Sequence, residues 1–308
     1  MEATFGYPAH YLAAWRGSEL RGVLPLFLVK NLFLKKALIS SPFAVYGGVL
    51  GDGEQTRHAM RESIEALGVE LGVEYVELRN AHPDQVLGFH PLKRFVTFTQ
   101  QVGPDEQAIL ESIPRKTRYM VRKALKEDFS TRRRKDLSED FLRLYLENLR
   151  KLGTPAFPEK HFQQLFANFA GMIDIREVLK DDKVVSAVLS LYFQDQMLPY
   201  YGASDPSVNA AAPNNYMYFD QMRWGGQNGY RVFDFGRSKK ESGGSYDFKS
   251  HWGMMERELP YEILLVRGKN LPHFSPSNPR FQMFIQLWRR LPLPLTRVLG
   301  PLLIRLVP

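Results

Sequence analysis

The sequence has no cysteine among its 308 residues, which excludes disulfides, thiolate-ligated metals and a cysteine nucleophile, and suits a cytoplasmic setting. Its opening, MEATFGYPAH, has neither the basic nor the apolar region of a secretory signal, so none is expected. No apolar run approaches the ~20 residues of a spanning helix, so the chain is expected to be soluble or at most peripheral to a membrane. Several catalytic signatures are also missing: a Walker loop, a GxGxxG fingerprint, a GxSxG elbow and any His/Asp/Glu grouping at metal spacing. The seven histidines are scattered, which argues against metal catalysis.

Acidic residues are absent from two places, and this shapes the charge pattern. Residues 115–135 hold ten Lys and Arg against Glu127 and Asp128, and residues 263–308 hold seven Lys and Arg with no acid. The formal net charge is +8, so the remainder of the chain is acidic. Two basic segments on an acidic body are expected where polyanions meet particular surfaces, with a pair of solvated faces as the plain alternative.

The chain has room for two domains. Strands are expected at Leu20–Val29 and Ala37–Pro42, then the turn Tyr46-Gly47-Gly48, a helix over Thr56–Leu71 and a strand at Val73–Leu78. The same order returns later: strands at Val184–Phe193 and Met197–Tyr201, the turn at Gly202, a helix over Asn215–Gln227 and a strand at Tyr230–Phe235. Gly47 to Glu77 spans 30 positions and Gly202 to Asp234 spans 32. This reads as an internal duplication of about 100 residues, with chance likeness of two α/β units as the competing explanation. The first copy starts almost at once with strand material, so it either lacks its opening elements or is given a late start.

Phe95–Val102 alternates like an edge strand, and Gly103-Pro104 sets the domain boundary. The expected domains are 1–103, 104–268 and a basic, apolar C-terminal arm, 269–308. Helices are expected over Asp105–Ser112, over the basic stretch Ile113–Lys126 with Tyr119, Val121 and Leu125 turned to a core, and over Glu139–Leu152 and Glu159–Ala170. Strands follow at Ile173–Leu179 and Val184–Phe193 around the turn Asp181-Asp182. Residues 242–253 read as a flexible loop and Tyr261–Val266 as the last sheet strand. The arm either packs on the body or lies on an anionic membrane.

In an open α/β sheet, ligands collect at the carboxyl ends of strands beside helix N-termini. That rule points to residues 199–238, where Gly236-Arg237-Ser238 puts a charge and a hydroxyl at a strand end.

The segments IPRKTRYMVRKALK, YYGASD, GYRVFDFGRSK, YDFKSHWG and NPRFQMFIQLWRRLPLPLTRVLGP, with SSPFAVYGG and EYVELRN in the first half, resemble the FemAB-related proteins associated with exosortase/PEP-CTERM systems. The resemblance covers nearly the whole chain and departs only at the N-terminus, where family members begin with further residues. It implies an α/β (α+β) fold of two tandem GNAT-like acyltransferase domains with mixed central sheets and a short C-terminal helical arm. It also implies an N-acyltransferase that forms an amide on an amino sugar or a lipid-linked envelope or exopolysaccharide precursor. The donor is an aminoacyl-tRNA or an acyl-CoA acting as cosubstrate, with no tightly bound cofactor and no metal. The GNAT pyrophosphate pattern Gln/Arg-x-x-Gly-x-Gly/Ala is missing from Asp205–Asn215, which counts against an ordinary acetyl-CoA site.

From the resemblance, Phe248-Lys249 followed by Trp252-Gly253 brings Lys249 to the reacting carbonyl, where a fixed cation stabilises the developing oxyanion. Arg237 is second choice for that role, and Asp234 accepts the amine proton or orients Arg237. Tyr200, Tyr201, Asn215, Ser238 and Trp252 are expected around the acyl pocket, with Tyr46 and Gly48 as first-domain counterparts on the acceptor side. Arg115, Lys116, Arg118 and Arg122 suit an anionic partner: tRNA phosphates, a pyrophosphate-linked lipid or CoA. The rival reading is a non-catalytic membrane-surface or RNA-binding protein that keeps the duplicated fold as scaffold.

Overall fold

The computed structural model describes residues 1–31, 35–240, 244–271 and 279–306, leaving the side chains of 279–281 aside. Along the chain run α1 (Glu2–Phe5), β1 (Ala9–Arg16), β2 (Glu19–Lys30), β3 (Lys36–Ile39), β4 (Leu50–Gly51), α2 (Gly53–Leu71), β5 (Tyr75–Leu78) and β6 (His90–Pro91). Then come β7 (Phe95–Gln101), α3 (Glu106–Ser112), α4 (Arg115–Ala124), β8 (Ser130–Arg134), α5 (Glu139–Leu152), α6 (Glu159–Asn168), β9 (Ile173–Lys180), β10 (Lys183–Phe193) and β11 (Gln196–Ser204). The chain continues with α7 (Pro213–Gln227), β12 (Val232–Asp234), β13 (Ser238–Lys239), α8 (Gly244–Ser250), β14 (Met255–Glu258), β15 (Glu262–Leu265), α9 (Pro279–Arg290) and α10 (Leu293–Ile304).

These elements form two compact units, each with its own mixed sheet. The first sheet runs β1-β2-β3-β5-β15-β6 with β4 on β2; the second runs β13-β7-β12-β11-β10-β9-β8 with β14 on β7. In each, an antiparallel trio (β1-β2-β3 or β9-β10-β11) leads through a crossover helix (α2 or α7) to a parallel strand, β5 on β3 or β12 on β11. An antiparallel strand then flanks that one, β15 on β5 and β7 on β12. The duplication read from the sequence is therefore present as topology.

The flanking strands come from opposite ends of the chain. β7 follows the first unit in sequence but pairs in the second sheet, and β15 follows the second unit but pairs in the first. The division falls between Phe95 and Val96, and the segment from Glu258 through β15 returns to the first unit. A cut at residue 103 and a second domain running to 268 assign both strands to the neighbour. Alternation reports that a strand exists and which face is apolar, but not which sheet receives it. Nor is β7 an edge: it lies between β12 and β13, and Val96, Thr97 and Phe98 are all buried.

Local chemistry explains the helices near the site. Ser138 caps α5 by accepting from Phe141 N at 3.3 Å, and left-handed Gly153 ends it at φ 77°. Phe141, Leu144 and Tyr145 are buried among Phe162, Ile175 and Leu189, each worth roughly 1.5–3 kcal/mol of burial. In α4, Thr117, Val121 and Ala124 (i, i+4, i+7) make the inner stripe. Tyr119 lies two residues from that stripe, about 200° around the helix, and is 67% exposed rather than in a core. The Asp181-Asp182 turn has both residues left-handed, at φ 50° and 59°, as a two-residue hairpin turn demands. Residues 242 and 243 of the expected loop lie outside the described residues, while Gly244–Ser250 is helical.

Candidate active site

In the second sheet the two parallel strands pair at only two positions, Gln196 with Val232 and Met197 with Phe233. Beyond Met197, β11 continues to Ser204, whereas β12 ends at Asp234. The cause is local: Pro199 faces Ser190 and Tyr201 faces Leu189, so Tyr200 is an extra residue, a β-bulge. A bulge bends its strand and raises its twist, and this one follows three residues after Met197, the last β11 residue paired with β12. Tyr200 is half-buried, its ring tilted against Tyr201 at 5.1 Å.

Tyr218 of α7 bridges the gap. Its ring lies 5.0 Å from Phe235 and 5.7 Å from Phe248, and its hydroxyl sits against Gly202 of β11, where a Cβ would approach to 2.6 Å. Gly202 is thus small because the phenol occupies the place of a side chain. Among the described residues the Tyr218 hydroxyl has no hydrogen-bond partner, and burial pushes its pKa up to about 12, so at neutral pH it is a proton donor. Sequence reasoning missed this residue. The available signal was the polar series Asn214, Tyr218 and Gln221 at i, i+4, i+7 on an otherwise buried helix. Asn214 binds Ser186 and Ser204, and Gln221 binds Ser190. Asn214 therefore ties the start of α7 to the sheet, while its neighbour Asn215 remains half-buried in the first turn.

Lys249 reaches the end of β12 from α8. Its Nζ donates to the carbonyls of Phe235 (2.6 Å), Gly236 (3.1 Å) and Arg237 (3.2 Å). Three donors meet three acceptors, so the ammonium clamps the turn that carries Arg237. Burial lowers its pKa to about 8, with Asp234 opposing the drop and Arg237 adding to it. Asp234 is buried, and its Oδ1 accepts from the Thr97 hydroxyl and from Gly236 N at 2.7 Å. It shapes the same turn and supplies the negative charge that favours protonated Lys249. Arg237 is half-buried, and Ser238 is buried with its Oγ 3.4 Å from Ser245 Oγ.

Trp252 is fully buried, edge-on to Phe235, Phe248 and Tyr218. It supports the wall from behind instead of facing a ligand, because the aromatic core has closed over it. Tyr201 turns toward α6, where its hydroxyl meets buried His161 Nε2 at 3.1 Å. Burial lowers the His161 pKa to about 4, so that pair is a hydrogen bond between neutral groups. In the first unit, Gly48 is pressed on Asn80, where any Cβ would collide with the amide, and Tyr46 is half-buried.

The basic helix adjoins the Lys249 segment. Thr117 Oγ1 donates to His251 O at 2.6 Å, and Pro114 lies against Gly253, whose left-handed φ is 70°. The Lys249 segment and α4 are thereby fixed to one another. Arg115, Lys116 and Arg122 are exposed, while Arg118 is half-buried and donates to Glu111 O at 3.3 Å. Beneath α7, Arg176 pairs with Asp220, both buried, and Asp220 also accepts from Arg223 at 2.6 Å. Arg133 lies 3.7 Å over the Trp224 ring and binds Asp174. Among the described residues no group of three His, Asp or Glu is placed to hold a metal, and no helix is long and apolar enough to cross a membrane.

A model of the acetyltransferase (GNAT) domain matches residues 112–250, from the end of α3 to the residue after Lys249. A crystal structure of FemX is similar at TM-score 0.67 and 15% identity, covering 92% of each chain. The C-terminal domain of a putative lysylphosphatidylglycerol synthetase from Agrobacterium fabrum gives 0.57 at 11% over 84% of each chain. A tandem GNAT protein from the clavulanic acid biosynthesis pathway gives 0.53 at 10%, covering 86% of this chain and 85% of that one. Sequence comparison with curated proteins finds no match. The fold is a tandem of GNAT-like domains, and the second of them carries the acetyltransferase-domain match together with the parted strands, the lysine clamp and the basic helix.

Proposed function

We propose that the second unit is an N-acyltransferase of the FemAB-like kind. It would move an acyl or aminoacyl group from an aminoacyl-tRNA or acyl-CoA to the amine of an amino sugar or a lipid-linked precursor. The acceptor belongs to the cell envelope or an exopolysaccharide, as in the exosortase/PEP-CTERM-associated branch that the sequence resembles. The observation that carries this is the parting of β11 and β12, with Tyr218 set across it and Lys249 at the end of β12. The GNAT-domain match over the same residues and the FemX-like fold support a transferase over a scaffold that only binds.

In the reaction the amine nitrogen attacks the donor carbonyl, a C–N bond forms and the C–O or C–S bond to the donor breaks. Negative charge builds on the carbonyl oxygen, and the Lys249 ammonium exchanges one backbone carbonyl for that oxyanion. Arg237, on the clamped turn, adds positive potential. Tyr218 donates its proton to the departing oxygen or sulfur and is reprotonated by the proton the amine loses. Asp234 keeps Lys249 charged and does not itself meet the amine. The exposed cations of α4 hold the donor's phosphates, and the first unit, with Tyr46 and Gly48, serves the acceptor.

Donor capture tests this. Purified protein is incubated separately with charged tRNAs and acyl-CoAs, and retained ligand is identified by mass spectrometry. One class is expected to be retained, with retention weakened when Arg115, Lys116 and Arg122 become Gln. Retention of neither class overturns the reading.

A further inference from the structure

The two C-terminal helices have a second face that packing within the chain does not use. On the inner side Trp288 and Thr296 are 2% and 3% exposed, Ile285 lies against Gly153 and Gly300 against Ala156. Arg297 bonds Glu159 at 3.0 Å. The arm thus packs on the α5–α6 region. Facing outward on α10 are Leu295, Val298, Leu299 and Leu302, at 49, 66, 38 and 50% exposure. Their spacing is i, i+3, i+4, i+7, so the solvent side of this helix is one continuous apolar stripe. Outward on α9 are Met283, Phe284 and Leu287. Arg289 and Arg290 stand exposed at the turn between the helices, and no acid occurs from Ile263 to Pro308.

We propose that the outward sides of α9 and α10 dock on an anionic phospholipid bilayer. The apolar stripe enters the headgroup–acyl boundary while Arg289 and Arg290 meet lipid phosphates. α10 has 12 residues, about 18 Å at helical rise; that length lies in the interface and does not cross it. A second copy would bring its own uncompensated arginines against these. An anionic, laterally fluid surface satisfies both the stripe and the charge. The proposal rests on the transferase reading only for its purpose, which is to hold the cleft where a lipid-linked acceptor resides.

The test is vesicle flotation of the full chain, with phosphatidylglycerol mixed into phosphatidylcholine and with phosphatidylcholine alone. Binding to the anionic vesicles is expected, with at least ~10-fold weaker binding to the neutral ones. Leu295→Ser/Val298→Ser/Leu299→Ser is expected to lose ~10-fold or more, and Arg289→Gln/Arg290→Gln to lose its salt-sensitive part, both with unchanged melting curves. Wild-type protein that stays unbound, or a triple-Ser variant that floats like wild type, overturns the proposal. So does a concentration-dependent dimer abolished by the same triple variant, which assigns the face to a second copy. Flotation does not read turnover: failed flotation with intact donor capture removes the docking alone, and flotation without donor capture removes the transferase alone.

Discussion

Lys249 is held by three carbonyls and charged against its own burial, which gives two pH effects of opposite sense. If the ammonium stabilises the oxyanion, turnover falls as pH rises through about 8; a rate profile checks this, and Lys249→Arg is expected to remove that limb. For stability the sign reverses. Between about 8 and 10.5 the unfolded lysine holds a proton that the folded one has released, so this group's contribution rises with pH across that window. Lys249→Met is expected to lower turnover on the order of 100-fold, while circular dichroism still reports a folded chain. Tyr218→Phe keeps the ring contacts and removes only the hydroxyl, with a turnover loss again on the order of 100-fold. Gly202→Ala is expected to cost about 1–3 kcal/mol through its collision with that hydroxyl; urea melts of Gly202→Ala/Tyr218→Phe should recover most of it. Lys249 is a candidate in the sequence through its neighbours Phe248, Trp252 and Gly253, whereas Tyr218 reads as one more aromatic of a buried helix. The role proposed for Tyr218 depends on a strand separation that no local pattern announces.

Among the elements, helices with a clear stripe were legible, and α5 begins and ends where its Ser cap and Gly stop place it. β8 was not. Among the described residues it pairs with β9 alone, and Arg132 and Arg133 make sense as a strand once Glu177 and Asp174 of β9 are there to pair with them. α8 was hidden as well, because a glycine-rich approach carries a loop signature even when the residues after it are helical. The support beneath α7 was equally invisible: nothing local to Arg176 or Asp220 says that they meet 44 positions apart. Asp220→Asn leaves the buried guanidinium uncompensated and is expected to destabilise the chain by about 3–5 kcal/mol in urea melts. At α4, Gln at positions 115, 116 and 122 is expected to weaken donor binding and flatten its salt dependence without lowering the melting temperature.

For the whole molecule, the repeat read from the sequence was right in its order of elements and missed the exchange of β7 and β15, since register to a distant sheet leaves no local trace. Glu262 shows how firmly the exchanged strand is held: its buried carboxylate accepts from Asn80, Leu87 N and Phe89 N at 3.0, 2.9 and 2.7 Å. A chain ending at Arg257 is expected to lose hydrogen-exchange protection in β5 while β9 to β11 keep theirs. The same exchange sets a schedule for synthesis. The first sheet cannot be completed until Leu265 has been made, some 170 residues after Phe95. At ordinary elongation rates that is a wait of roughly 10–30 s. Through that interval the nascent chain carries an unclosed β5 edge, so the amino-terminal half is a natural client for ribosome-associated chaperones.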